Sequence, residues 1–461
     1  MSVEGEWRQM TFEDLLSGDR GEAPKSRQRD EEQSAAHDSE YSGTASLMEA
    51  VLARDNLQSA LKRVKKNRGS PGIDGMTVQE LGPWLKDHWL EVKATLVAGT
   101  FRPSAVRRKE IAKSEGGVRK LGIPTVLDRF IQQAILQVLQ PLIDPTFSDH
   151  SYGYRPGRSA HGAVRRAQGY IQEGRRIIVD VDLKSFFDRV NHDILMNRLA
   201  RRIADRRLLR LIRHYLESGV MMNGVVMDRY EGTPQGGPLS PLLANLLLDE
   251  VDKELERRGH SFVRYADDGQ VYVRSRRAGQ RVLALLRKLY RGLRLQVNES
   301  KTKIVRPYET KLLGFSFWMK PGRVVACRVA KQALDKMRDR VRSITKRSGG
   351  RSIESVIGEL RSFLIGWRGY FRLAETPRIM GELDGWIRRR LRALQLKQWK
   401  RGTTAFRELR NRGASINLAA DIAAGTARYW WNACKRLHHV LNNSYFDELG
   451  LPRLDQRTSI Q

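Results

Sequence analysis

Hydrophobic and polar positions change rhythm along the chain, and each rhythm predicts a different kind of element. Residues 1 to about 43 are polar and rich in Gly, Ser and Glu, with one short amphipathic patch from Met10 to Leu16, so a disordered acidic tail over residues 1–45 is expected. From Leu47 apolar residues recur at helical spacing through Val64, until Lys65-Lys66-Asn67-Arg68-Gly69-Ser70-Pro71-Gly72-Ile73-Asp74-Gly75 breaks the helix. Arg107 to Thr125 reads as two strand-like pieces around Gly116-Gly117, and a helix from Arg129 to Leu142 follows. Ile177 to Val181 predicts a buried strand interrupted by acidic residues. Val220 to Met227 has a two-residue hairpin pattern around Asn223-Gly224, a helix runs from Leu242 to Leu255, and Phe262–Tyr265 with Gln270–Val273 predict a further hairpin. Past Lys320 the strand rhythm stops. Helices then span Ala330 to Lys346, Ile353 to Leu373 and Arg378 to Arg401, each with an apolar stripe and a basic opposite face.

Composition narrows what such a chain does. Its 461 residues are 40% hydrophobic with 9 Trp, enough for several cores. The formal net charge is +31, and it is unevenly spread: the first 43 residues carry 11 acidic and 5 basic side chains, leaving 78 basic against 41 acidic in the remainder, net +37. Such a surplus repels itself unless a polyanion neutralises it, so nucleic acid is the expected partner. An anionic membrane surface is the rival, but the basic residues are scattered over many segments and no apolar run approaches a membrane span. Only Cys327 and Cys434 occur, without ligand spacing, which argues against a disulfide framework or a zinc site. The first residues lack a secretory pattern, and a reduced, cytoplasmic protein is expected.

Two acidic elements stand out against this background. A plain hairpin turn gains nothing from the second carboxylate of Asp267-Asp268, whereas a pair of divalent cations needs hard oxygen ligands placed close together. Carboxylates inside an apolar strand are costly unless paired or metal-bound. Asp182, at the end of the Ile177–Val181 strand, is therefore expected beside Asp267 and Asp268, with Asp180 and Asp188 structural. Lys113 and Arg119, on opposite arms of the basic hairpin, can grip a triphosphate, a solvated hairpin being the alternative. In the loop Glu231 to Pro241, Gln235 offers donor and acceptor, and bare glycines let backbone approach a base pair. Ser151 to Ala160, with Arg155 and Arg158 among aromatics, has the composition of a strand-binding groove. The loop around Arg68 either lies along nucleic acid or simply ends its helix.

In this order the elements resemble the reverse transcriptases, and within them the bacterial group II intron-encoded reverse transcriptase/maturases. Asp182 in Asp-Leu-Lys-Ser-Phe-Phe-Asp matches that family's first catalytic aspartate, Tyr265-Ala266-Asp267-Asp268 its YADD box, and Pro234-Gln235-Gly236-Gly237 its PQG loop. Leu293 to Thr302 and Leu312-Leu313-Gly314-Phe315 are similar to its later palm elements, and Leu364-Ile365-Gly366-Trp367-Arg368-Gly369-Tyr370-Phe371-Arg372 to the maturase-specific (X, or thumb) domain. The resemblance runs from about residue 50 to about residue 450.

It implies an α+β, right-hand polymerase fold: fingers with an amino-terminal extension over 46–175, a catalytic palm of antiparallel sheet plus helices over 176–325, a helical thumb/maturase domain over 326–402 and a DNA-binding segment over 403–461. The implied activity is RNA-directed DNA synthesis with two Mg²⁺ ions on Asp182, Asp267 and Asp268. Lys113, Arg119, Gln235 and Lys301 would contact the nucleotide, and Phe186 would crowd its sugar 2′ position. The implied partners are deoxynucleoside triphosphates, a target-site DNA primer and group II intron RNA, bound for splicing and retrohoming. Arg68, Arg155, Arg158, Arg368, Arg372, Lys435 and Arg436 are the expected nucleic-acid contacts. Trp367, Tyr370 and Phe371 fit one buried face, while Trp430 and Trp431 suit either base stacking or the core of a small helical domain. With no His/Cys endonuclease pattern, an endonuclease-lacking, class C-like member is expected. The rivals are a host-adapted reverse transcriptase in phage defence or repair, and an RNA-binding splicing cofactor without polymerase activity.

Overall fold

The computed structural model describes residues 46–112, 118–222, 225–227, 231–233 and 236–455; the expected tail, Lys113 and Gln235 lie outside them, as does the side chain of Arg119. The chain forms two compact units, one built from residues up to Ala167 and from Arg175–Val305, the other from Gln168–Gly174 and from Arg306 onward.

The first unit opens with α1 (Leu47–Leu52), α2 (Arg54–Asn67) and α3 (Leu81–Val97), followed by β1 (Val106–Ala112), β2 (Val118–Ile123), α4 (Val126–Ile143) and α5 (Ala160–Gln172). Then come β3 (Ile177–Val181), α6 (His192–Ala200), α7 (Arg206–Glu217), β4 (Val220–Met222), β5 (Val225–Met227), α8 (Ser240–Arg257), β6 (Ser261–Tyr265), β7 (Asp268–Val273), α9 (Arg276–Gly292) and β8 (Lys303–Val305). The single helix expected from Leu47 to Val64 is two, because Ala53 is extended (ψ 140°) and the Asn56 amide donates to Val51 O (2.9 Å) and Ala134 O (3.0 Å) across the break. Apolar spacing is blind to such a corner.

Two sheets organise the unit. One has the order β2-β1-β4-β5, with β1 and β4 parallel; the other, β6-β7-β3-β8, is antiparallel throughout and has β3 at its centre. Helix α9 packs on β3, β7 and β8 through Val282, Leu283, Leu286 and Tyr290. It lies close, since a Cβ at Gly279 would come within 3.0 Å of Ile304 and 3.4 Å of Val179.

Helix α4 begins on Thr125, whose hydroxyl accepts from Asp128 N (3.1 Å) and donates to Asp128 Oδ2 (2.7 Å), while Ser104 N donates to the same carboxylate (3.2 Å). Burial pushes the Asp128 carboxyl up to about 6. The folded chain therefore binds this proton more tightly than the unfolded one, a contribution fully present below the ordinary carboxylate range and lost as pH rises through about 6. An Asp128→Asn chain, neutral throughout, is expected to gain on the wild type by on the order of 3 kcal/mol between about pH 4 and about pH 7 in denaturant titrations. A constant offset across that window contradicts the assignment.

In the second unit the hairpin β9 (Phe315–Lys320) and β10 (Val324–Val329) precedes α10 (Lys331–Ile344), α11 (Ile353–Tyr370), α12 (Pro377–Gln398), α13 (Gly402–Asn411), α14 (Ile416–Ala424), α15 (Tyr429–Lys435) and α16 (Asn443–Glu448). The Gln168 amide donates to Val325 O (2.7 Å) and Val325 N to Gln172 Oε1 (2.7 Å), so the end of α5 from Gln168, which belongs to this second unit, is tied to its hairpin. The division at Val305 falls ahead of β9–β10. Apolar stripes appear as expected, for example Leu334, Met337, Val341 and Ile344 on α10. The basic faces are only partly exposed: Arg388 is buried against Asp384 (3.1 Å) and Asp447 (3.0 Å), and Arg392 donates to Leu441 O (2.7 Å). Among the described residues no helix is long and apolar enough to cross a membrane.

Candidate active site

Strands β6 and β7 form the expected hairpin, with Tyr265 facing Asp268 across a two-residue turn of Ala266 and Asp267. Ala266 has φ +57°, a left-handed conformation that a side chain adopts at a cost, so the surroundings must hold it. In the β3–β7 ladder Val181 faces Gly269. That is the ladder's last pair, so Asp182 follows directly after β3 and Asp268 directly precedes Gly269 at the same end of the sheet. The three aspartates, 85 residues or more apart in sequence order for the first pair, thus share one end of the sheet. Asp182 and Asp267 are half-buried and Asp268 is exposed. Asp180, two residues back on β3, accepts from the Gln270 amide (3.2 Å), the structural role expected of it.

Asp182 is held from the far side. Asn298 Nδ2 donates to its Oδ2 (2.9 Å), Asn298 N to its carbonyl (2.8 Å), and its own N–H donates to Thr302 Oγ1 (3.3 Å). One carboxylate oxygen is thereby fixed while the other carries no partner from Asn298. Hard carboxylate oxygens are the donor set Mg²⁺ prefers, so the residues fit the ion chemically. Among the described residues no three His, Cys, Asp or Glu side chains form a ready-made cation cage.

The strained turn is gripped by Arg264, a residue that strand patterning did not mark. Its guanidinium meets the Asp252 carboxylate through Nε (2.9 Å) and Nη2 (2.6 Å), and its Nη1 donates to Ala266 O (2.9 Å) and Asn245 Oδ1 (2.8 Å). Asn245 in turn donates to Gly153 O (2.8 Å). Arg264 is 3% exposed and Asp252 1%. Burial raises the Asp252 carboxyl above its ordinary value against the pull of Arg264. Gly153 lies flat on the turn: a Cβ there would sit 2.3 Å from Ala266 N. Segment 150–152 runs along β6, with Arg264 N donating to His150 O and Tyr152 N to Arg264 O, both 2.9 Å.

Several expected contacts fall elsewhere. Arg155 is 8% exposed; it pairs with Asp144 (3.0 Å) and donates to Ser151 O (3.0 Å) and Asp144 O (2.8 Å), so it clamps its own loop and is not a nucleic-acid contact. Arg158 is half-buried, paired with Asp149 and over the Tyr152 ring (5.8 Å). Phe186 is 2% exposed, in the short turn Phe186–Asp188, and has no face left for a sugar; its neighbour Phe187 is half-buried. Lys301 and Arg68 are exposed, Arg68 at φ +46° where α2 ends.

The comparisons bear on this geometry. The model for reverse transcriptase (RNA-dependent DNA polymerase) matches residues 111–317, and that for the group II intron maturase-specific domain matches residues 334–413. Protein YkfC of Escherichia coli (strain K12) is 32% identical over 302 residues, which are 56% of this chain and 78% of YkfC. The chain belongs to the group II intron reverse transcriptase/maturase family. LtrA, the group II intron-encoded protein of Lactococcus lactis subsp. cremoris, is 35% identical over 208 residues; these make 45% of this chain but only 34% of LtrA, so the chain spans about a third of that relative. A chain of a partial Cas6-RT-Cas1–Cas2 complex aligns at 26% identity and TM-score 0.35, covering 54% of this chain and 42% of that one.

In the maturase-type unit Phe371 is buried against Phe315 (5.1 Å between ring centres), Trp367 (4.8 Å) and Tyr370 (4.9 Å), but the single buried face expected of these three aromatics holds for Phe371 alone: Trp367 is half-buried, and Tyr370 is exposed and donates to Leu313 O (3.0 Å). Arg372 is exposed; Arg368 is half-buried, its Nη1 without a partner. Trp430 and Trp431 do not form a core. Each is 45% exposed, with Arg389 over Trp430 (5.9 Å) and Arg436 over Trp431 (4.7 Å), while Leu437, Leu441 and Phe446 fill the interior. Lys435 is exposed beside them.

Proposed function

We propose that the chain copies RNA into DNA at the Asp182–Asp267–Asp268 end of the β6-β7-β3-β8 sheet and binds its intron RNA to promote splicing and retrohoming. One observation supports the polymerase reading: the β3–β7 ladder ends at Val181–Gly269, where Asp182 and Asp268 are the adjoining residues beside a strained turn. On this reading the β2-β1-β4-β5 sheet and its helices are fingers, the second sheet is palm, the helices from Lys331 are thumb, and the segment from Thr403 meets target DNA through Lys435, Arg436 and the exposed tryptophans.

In the reaction the primer 3′-oxygen attacks the α-phosphorus of a deoxynucleoside triphosphate. A new P–O bond forms, the bond to pyrophosphate breaks, and the hydroxyl proton passes to water. Two Mg²⁺ ions held by Asp182, Asp267 and Asp268 would supply a lowered pKa at that hydroxyl and charge stabilisation on pyrophosphate. The chain's own part is positional: Asn298 and Thr302 fix Asp182, and Arg264 fixes the turn bearing Asp267. Lys113, Arg119 and Lys301 neutralise the triphosphate, Gln235 lies near the nascent pair, and Phe187 takes the place expected of Phe186 beside the sugar.

Splicing needs none of the aspartates. Intron splicing at low magnesium is expected to survive in an Asp267→Asn chain and to fall at least tenfold when Arg368 and Arg372 are both changed to Gln, each a charge-assisted contact of roughly 1.5–3 kcal/mol. Equal loss in both variants contradicts the separation. Primer extension on a primed RNA template, present in the wild type and absent in Asp182→Asn, tests the polymerase role itself.

A further inference from the structure

The first unit carries a second cleft, remote from the aspartates. Its volume is about 590 Å³, and Arg175, Arg258, Arg274 and Arg281 surround a floor that includes the half-buried His260, Ala278 and Leu285. Ser261 pairs with Tyr272 at the open end of the β6–β7 hairpin, opposite its turn. Four steps along the strand separate Tyr272 from Asp268, about 13 Å at ~3.3 Å per residue, so the cleft is no part of the catalytic end.

Its charge is unbalanced in a way that its neighbour's is not. A smaller cleft of about 390 Å³ between α6 and α8 also holds arginines, but there Arg202 pairs with Asp249 (3.0 Å) and Arg198 with Glu250. No carboxylate lines the larger one. Arg258 reaches out to Glu254 (2.6 Å), whereas Arg274 and Arg281 are exposed and make no hydrogen bond or ion pair among the described residues. Uncompensated guanidinium groups around a mostly apolar floor suit a base flanked by phosphates. The size suits one nucleotide. Cations on several sides, from the start of β3, the end of α8, the end of β7 and the first turns of α9, suit a chain that enters and leaves more than a free nucleotide with phosphates at one end.

We propose that this cleft seats one unpaired nucleotide of a bound RNA strand, its base over Ala278 and Leu285 and its flanking phosphates on Arg274 and Arg281. The proposal rests on the nucleic-acid reading above but not on the aspartates.

The test compares Arg274→Gln/Arg281→Gln with Arg276→Gln/Arg277→Gln, which removes the same charge from the first turn of α9 outside the cleft. Binding of a labelled oligouridylate is followed by anisotropy across a salt series. The cleft pair is expected to lower the slope of log affinity against log salt by about 1.4, with roughly 25-fold weaker binding at about 0.1 M salt. The control pair is expected to change both far less. An Ala278→Trp chain, which fills the floor, is expected to bind about tenfold more weakly at unchanged slope. Equal losses in the two arginine pairs mean a diffuse positive field and overturn the site; wild-type binding by Ala278→Trp overturns the placement of the base. Extension of a short primed template is expected to persist in all three variants, so the polymerase assignment is judged separately.

Discussion

An Asp267→Asn chain is expected to extend a primed RNA template at least roughly a thousandfold more slowly than the wild type, with its melting temperature and circular dichroism nearly unchanged. The size follows from the several kcal/mol that metal-assisted charge stabilisation supplies, each ~1.4 kcal/mol being tenfold in rate. Folding is spared because Asp267 sits in a two-residue turn, half-buried, outside the ladder pairs of β6 and β7. The loss should appear in kcat more than in primer–template affinity, since the chain's many basic side chains are untouched. Ordinary extension by this variant contradicts a catalytic role for the hairpin.

The second large effect concerns Arg264. Changing it to Leu strands the Asp252 carboxylate in the interior and removes the donor to Ala266 O, so the first unit is expected to lose about 3–5 kcal/mol and extension to fall with it. Stability and positioning are separable. In the double variant Arg264→Leu/Asp252→Leu no charge is left unpaired and most of the stability is expected to return, while extension stays low because the left-handed Ala266 turn has lost its clasp. Denaturant midpoints and kcat measured on the same preparations decide it. Recovery of both together reduces Arg264 to a structural residue.

The parts of this protein that could be read from its sequence are those that local pattern controls. The β6–β7 hairpin follows from period-two apolar residues around a turn, and the aspartates declare themselves because carboxylates in apolar strands need a reason. Arg264 and Asp252 escape that logic. One lies in a strand and the other on α8, and nothing at twelve residues' separation marks a buried pair. Arg155 misleads for a related reason: a loop of aromatics and arginines has the same composition whether it grips RNA or, as here, its own carbonyls and Asp144. Phe186 and Phe187 are adjacent in a tight turn, where successive side chains point in different directions, so only the fold decides which is buried. For Trp430 and Trp431, size and apolarity suggested a core, yet smaller residues fill it and the indoles remain outside beneath arginines.

Everything proposed about chemistry depends on Asp182, Asp267 and their neighbour binding the same ions. The most direct measurement is anomalous scattering from Mn²⁺ in crystals of the protein with a chain-terminated primer, an RNA template and the next nucleotide. Two peaks roughly 3.5–4 Å apart, each touching Asp182 or Asp267 and the nucleotide phosphates, are the predicted result. Peaks that leave Asp182 on Asn298 alone, or none at this end of the sheet, contradict it.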